Sequence, residues 1–224
     1  MHGLPPDFDS LLRAATRIAA PPLCPELRLH LAGDLDALWA EQERRVGRTG
    51  LAAPFWGVAW PGGQALARHV MDNPVTVAGR SVLDLGSGSG LVAIAAARAG
   101  ARVVEAADTD DFARAAIAAN ASLNQVALAT LAEDLIGAPS RWDVVLAADL
   151  WYERFLAGRV TAWLSELAAS GTRVLVGDRG RAFLRREGLE ELQRYQVPSP
   201  SFERDAVTAT GVWQVGRSRI RGPS

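Results

Sequence analysis

The chain contains no lysine: all 24 of its basic residues are arginine. Lysine ordinarily ranks among the commonest residues. Codon bias accounts for such an absence and would favour the many alanines too. An enzyme that modifies lysine would also gain by offering none of its own, and composition leaves both explanations open. Cysteine is nearly as scarce. Cys24 stands alone, which excludes an intramolecular disulfide. The three histidines, His2, His30 and His69, are scattered and no CxxC or CxxxH spacing occurs, so no metal site is expected. No apolar run reaches the roughly 18 residues of a membrane span. The opening MHGLPPDFDS lacks the basic start and apolar stretch of a secretory signal, and its prolines and acids suit a transit peptide poorly. These absences point to a cytoplasmic protein with no membrane partner. Charge of one sign is missing as well. A formal net charge of -1 gives no overall attraction to nucleic acid.

What remains is a chain of 224 residues, nearly half of them hydrophobic, enough to bury a core without staples. From Ser81 onward, short β-branched runs alternate with alanine-rich helical stretches. Strands are expected at Ser81 to Leu85, Ala101 to Asp108, Val126 to Leu131, Trp142 to Ala148 and Thr172 to Gly177. Helices are expected at Leu91 to Arg98, Asp110 to Leu123 and Phe155 to Ala169. Near-continuous apolar strands alternating with helices imply an α/β, Rossmann-like parallel sheet with helices on both faces. After Gly180 the pattern predicts a helix from Arg181 to Glu187. Two strands follow, Leu189 to Val197 and Ala206 to Val215, forming a C-terminal antiparallel hairpin across a loop of prolines and serines. Five parallel strands and a hairpin make a seven-stranded sheet. Upstream, Asp7 to Ala20 and Gly33 to Val46 read as helices separated by prolines. The expected organisation is an N-terminal helical extension (1–50) packed over the ligand crevice, a seven-strand domain (51–217) and a disordered tail (218–224).

The first of these strands runs into VLDLGSGSG, Val82 to Gly90. Ligands of such sheets sit beyond the carboxyl ends of the strands, where the first turn meets its helix. Gly86, Ser87, Gly88 and Gly90 occupy that turn, and the helix that follows offers free N–H groups to an anion. The glycine spacing departs from the dinucleotide fingerprint, because Leu91 stands where the third glycine belongs. Asp84 inside the strand can order the loop or accept from an ammonium group. Asp108 ends the second strand, where a carboxylate can accept from both hydroxyls of a ribose; Thr109 follows it. Glu105 lies inside the strand and suits packing, while Asp110 and Asp111 suit helix capping. After the third strand come Glu133, Asp134 and Leu135. Asp134 is the candidate acceptor for an adenine amino group, or a solvated loop acid. Acids at the ends of three successive strands match one adenosyl ligand, with an ammonium and a carboxylate at its other end: S-adenosylmethionine.

PFWGVAWPGGQALARHV (Pro54 to Val70), VLDLGSGSG and AADTDDFARAAIAAN (Ala106 to Asn120) together resemble the seven-strand protein-lysine methyltransferases. DLWYE (Asp149 to Glu153) and RVLVGDRGR (Arg173 to Arg181) narrow the similarity, from about Pro21 to Val215, to members acting on the electron transfer flavoprotein beta subunit. The resemblance implies a methyltransferase domain with a protein substrate. It implies catalytic roles for Asp149 and Tyr152, and a place for Trp60 over the methionyl end of the cofactor. A lysine nucleophile must lose its proton, although its solution pKa is about 10.4; apolar and aromatic walls favour the neutral amine. Asp149 would attract and orient the ammonium, and Tyr152 with Trp151 would form an aromatic wall against it. The plainer alternative is a helix-capping aspartate followed by core aromatics. Trp56 is left undecided between site and core. Arg179 and Arg181 meet acids of a partner protein or form a solvated cluster. A ribosomal protein or small amine is the alternative acceptor, and a non-catalytic nucleotide-binding module the alternative class. No Asn-Pro-Pro-aromatic signature for a flipped base occurs, and no nucleic-acid substrate is expected.

Overall fold

A computed structural model describes residues 8–198 and 206–217. The chain opens with helix α1 (Phe8–Ala15), an antiparallel pair β1 (Thr16–Ala19) and β2 (Leu29–Ala32), and helix α2 (Leu35–Val46). A single 3-10 turn at Phe55–Gly57 leads into α3 (Pro61–Asp72). Then come β3 (Ser81–Leu85), α4 (Leu91–Arg98), β4 (Val103–Ala107), α5 (Asp111–Leu123), β5 (Ala129–Leu131), β6 (Val144–Ala148), α6 (Arg154–Ala169) and β7 (Arg173–Asp178). The long strands β8 (Leu189–Pro198) and β9 (Val207–Val215) close the chain.

The main sheet has the order β5-β4-β3-β6-β7-β9-β8, parallel from β5 to β7 and antiparallel at β9 and β8. Side-chain alternation along each strand sorts two cores. Val82, Val104, Ala106, Val144, Leu146, Leu175 and Val212 face α3, α4 and part of α5. Leu83, Leu85, Val145, Ala147, Val174, Val176 and Trp213 face α6, with Trp142, Trp151 and Trp163. Helices therefore cover both faces, as the apolar strands require. Their ends are set locally. The Asp110 carboxylate accepts from the Phe112 N–H at the start of α5, and Glu153 accepts from the Phe155 and Leu156 N–H groups at the start of α6. Each satisfies donors that a helix leaves free at its first turn.

Two expectations need correction. The N-terminal segment is not wholly helical: α1 stops at Ala15, and Thr16 to Ala19 pair with Leu29 to Ala32. Residues 181–187 form turns rather than a helix. There the Asp178 carboxylate takes the backbone N–H groups of Gly180 and Arg181, both at 2.7 Å, and Gly180 holds φ +87°. The expected tail 218–224 and most of the loop between β8 and β9 lie outside the described residues.

The N-terminal extension packs against α5. Leu11, Leu12, Leu38 and Trp56 form a third core against Phe112, Ala113 and Ala116 of α5. Asn120, fully buried, ties the layers together by donating to the Ser89 carbonyl and accepting from the His30 N–H. Cys24 is buried under α3 and its thiol is pushed up to about 12 by burial, which makes it a packing residue.

Candidate active site

All three glycines of the turn after β3 adopt left-handed backbone, with φ of +64° at Gly86, +54° at Gly88 and +82° at Gly90. Gly90 begins α4. Asp84 is buried beneath them and accepts from Ser87 Oγ at 2.5 Å and from the Ala93 N–H at 3.0 Å. Of its two expected roles, the one seen is ordering the loop. Burial pushes its carboxyl up to about 7, against the hydrogen bonds from Ser87 and Ala93. Asp108 stands across the turn. Its two oxygens accept one backbone N–H each, from Gly88 at 2.9 Å and Asp110 at 3.0 Å. One lone pair remains on each oxygen, which suits a pair of ribose hydroxyls. Thr109 is exposed beside it. The Asp108 N–H donates to the Leu131 carbonyl, which sets the ends of β4 and β5 side by side. Asp134, just beyond β5, is exposed and accepts from Arg159 of α6 at 2.7 Å. Leu135 is half-buried against the core under α6. Glu105 belongs to packing, as expected, accepting from Trp142 Nε1 and Arg141.

Asp149 ends β6 in an unusual conformation. Its φ is +58°, left-handed backbone that few non-glycine residues adopt. Its Oδ2 accepts from the Gly63 N–H at 2.9 Å, and its Oδ1 accepts from Arg181. Helix α3 starts on Trp60 with no side-chain cap and has Pro61 at its first position. Asp149 therefore satisfies a first-turn donor of α3 from across the sheet, at the positive end of that helix. The capping alternative is correct in kind, but the helix capped is α3; Glu153 caps α6. Close approach makes this contact. A Cβ at Gly62 would collide with the Gly177 carbonyl and stand 2.6 Å from Asp149 Oδ2. Burial raises the Asp149 carboxyl to about 6, with Arg181 opposing and Asp178 adding to the rise.

The two aromatics of DLWY part company. Trp151 is buried and donates to Thr161 Oγ1 at 3.0 Å, so it belongs to the core under α6 and not to an aromatic wall. Tyr152 is 53% exposed and meets the edge of Phe55, ring centroids 6.0 Å apart. Phe55 in turn meets Trp60 at 5.7 Å and accepts from Trp60 Nε1 through its carbonyl. The three rings form a rim beside Asp149. Trp56 is settled as core, donating to Gln42. Arg181 turns inward rather than toward a partner: it pairs with Asp149 and Asp178 and lies 6.0 Å from the Trp60 ring centroid. Asp178 and Phe55 were missed in the sequence. Only the aspartate two residues before Gly180, in GDRGR, signalled a turn.

The glycine turn and the segment carrying Asp149 lie side by side, since a Cβ on Gly86 would stand 2.5 Å from Leu150 Cδ2. A groove of about 850 Å3 lies at the opposite end of the parallel strands, lined by Arg80, Asp143, Arg173 and Arg217, away from the glycine turn and Asp149. Among the described residues no helix is long and apolar enough to cross a membrane, and no three His, Cys, Asp or Glu side chains converge as a metal site.

The fold is shared with magnesium protoporphyrin IX methyltransferase from Synechocystis PCC 6803, solved with bound S-adenosylmethionine. That likeness has a TM-score of 0.51 at 18% identity, over 68% of this chain and 79% of that one. A family model described as ribosomal protein L11 methyltransferase matches residues 66–151. The electron transfer flavoprotein beta subunit lysine methyltransferase of Danio rerio is 38% identical over 86% of this chain and 76% of its own. The Mus musculus enzyme of that name is 36% identical over 94% and 85%. With such identity over most of both chains, the protein belongs to the electron transfer flavoprotein beta subunit lysine methyltransferases.

Proposed function

We propose that the chain moves the methyl group of S-adenosylmethionine to lysine side chains of the electron transfer flavoprotein beta subunit. The observation that carries this reading is the contact of Gly86 with Leu150, which puts the glycine turn beside Asp149 and its aromatic rim. The cofactor supplies an activated methyl on a sulfonium, so the protein's part is orientation, desolvation and handling of the amine's proton. Asp84 and the left-handed glycines hold the turn open, and Asp108 offers its remaining lone pairs to the ribose. Asp134 and Leu135 close the adenine side, which requires Asp134 to exchange Arg159 for the ligand. At the acceptor end, Asp149 draws in the ammonium. The rings of Trp60, Phe55 and Tyr152 line its path; with water excluded the neutral amine is favoured, and its proton passes to the Asp149 carboxylate before the nitrogen attacks the sulfonium methyl.

The test is direct. With labelled cofactor and purified beta subunit, the label should appear on lysines of the subunit, located by mass spectrometry. The chain has no lysine of its own, so every labelled lysine is the acceptor's. Label absent from the subunit but present on a ribosomal protein would select the second reading. The family match over 66–151 favours that reading, but it covers the donor half and stops before Tyr152.

A further inference from the structure

Two buried carboxylates stand together at the ends of adjacent strands, and they share one cation. Asp149 and Asp178 are 8% and 0% exposed. The same nitrogen, Arg181 Nη1, donates to Asp149 Oδ1 and, at 3.2 Å, to Asp178 Oδ2. Burying a charge is costly unless it is paired and hydrogen-bonded, and here the pairing is incomplete. Among the described residues two negative charges meet one positive charge, which leaves the cluster one negative charge in excess. The backbone N–H groups of Gly63, Gly180 and Arg181 soften that excess without cancelling it. The remaining face of the cluster is aromatic, with the guanidinium set against Trp60 and the rim continuing through Phe55 to Tyr152. A buried site short of one positive charge and bordered by π faces is suited to one more cation.

We propose that Arg181 is a positioning residue for the acceptor amine: its single guanidinium, gripped by Asp149 and Asp178 and laid against Trp60, fixes the Asp149 carboxylate at the mouth and keeps it ionised, with one negative charge left for a lysine ammonium. The inference rests on the methyl-transfer reading. It assigns to the GDRGR turn a part in acceptor binding and none in holding the cofactor.

The charged groups facing Asp149 are Asp178 and Arg181, at and beyond the end of β7; α3 contributes only the Gly63 N–H. Among the described residues Arg181 is thus the one cation holding the Asp149 carboxyl down, near 6. Removing it should move the acid limb of the pH–rate profile to higher pH. For Arg181→Ala, kcat/KM for the protein acceptor should fall about 100-fold, a factor set by losing a charge-assisted pair at the reacting end. The cofactor Kd should stay within about threefold. Guanidinium ion added at non-denaturing concentration should restore part of the rate to Arg181→Ala, but none to a double variant that also carries Asp149→Ala. Arg181→Lys keeps the charge and loses the fork; it should return the limb toward its original pH with only partial rate, and it serves if the alanine variant fails to fold. An unmoved limb in both variants, or equal losses in cofactor affinity and turnover, would overturn the proposal. A carbon-13 titration of the Asp149 carboxyl reads the same coupling without any reaction. If the intact chain methylates no lysine but that titration still shifts upward in Arg181→Ala, the methyl-transfer reading fails and the Arg181–Asp149 coupling stands.

Discussion

Asp149 concentrates the chemistry of this site into one strained residue. Left-handed backbone is tolerated best by glycine, asparagine and aspartate, and the strain is held because Gly63, Gly177 and Arg181 all bond to Asp149. Asp149→Asn is therefore the informative change, since it keeps the backbone conformation and the bond to Gly63 while removing the charge and the oxygen that accepts from Arg181. Methyl transfer should fall about 100-fold, equivalent to about 2.7 kcal/mol, while cofactor affinity measured by calorimetry changes little. Turnover within about threefold of the parent would remove Asp149 from the reaction. At this scale the sequence reveals residue type and position along a strand, but not partners. DLWY stands out as a motif, yet Gly63 and Arg181 reach Asp149 over 86 and 32 residues of chain. Nor does adjacency tell Trp151 from Tyr152. Consecutive residues beyond a strand end diverge, and Trp151 went to the core because Thr161 could bond its indole.

Elements were legible where burial on both sides forces unbroken apolar runs. β3 and α4 are found where the pattern puts them, and β6 and β7 lie within two residues of it. The errors fall where long-range pairing overrides local preference. Thr16 to Ala19 would continue α1 by their own tendency, but β2 offers them a ladder. The periodicity of 181–187 yields to the turn built on Asp178. Packing of α3 on β7 depends on two glycines facing each other, because a Cβ on Gly177 would collide with the Gly62 carbonyl and stand 2.8 Å from Leu66 Cβ. Gly177→Ala should cost about 1–3 kcal/mol, by overpacking, and lower the melting temperature by several degrees. Gly158 gives the opposite expectation. It lies within α6, is exposed, and a Cβ there meets nothing within 4 Å. Gly158→Ala should stabilise by about 0.5–1 kcal/mol, and chemical denaturation of the two variants should move their midpoints in opposite directions.

For the molecule as a whole, these buried acids fix how stability responds to pH. An unfolded carboxyl titrates at about 3.9, whereas burial holds Asp84 at about 7 and Asp149 at about 6. Raised carboxyls mean that the folded chain binds more protons than the unfolded one between those values, so their stabilisation is full in acid and is lost as pH rises through the folded pKa. The carboxyls lowered by exposed ion pairs, such as Glu41 at about 2, change charge well below this window. Burial lowers His30 and His69, which oppose the trend as their unfolded imidazoles protonate at about pH 6.5, within the lower part of this window. Between pH 8 and 6.5 Asp84 alone should contribute somewhat under about 1 kcal/mol to the ligand-free chain on acidification, or about 2 °C in melting temperature for a domain of this size. The cofactor should reverse the sign. In the proposed site, an ammonium beside Asp84 and ribose hydroxyls on Asp108 would favour the ionised acids, so cofactor binding should weaken as pH falls through 7, and the melting shift it confers should shrink. Melting curves at pH 8, 7 and 6.5, with and without S-adenosylhomocysteine, read both slopes at once. Asp84→Asn should flatten the ligand-free slope. An Asp84→Asn chain whose ligand-free slope matches the parent's would place the Asp84 carboxyl outside the buried setting beneath the glycine turn on which the proposed donor site depends.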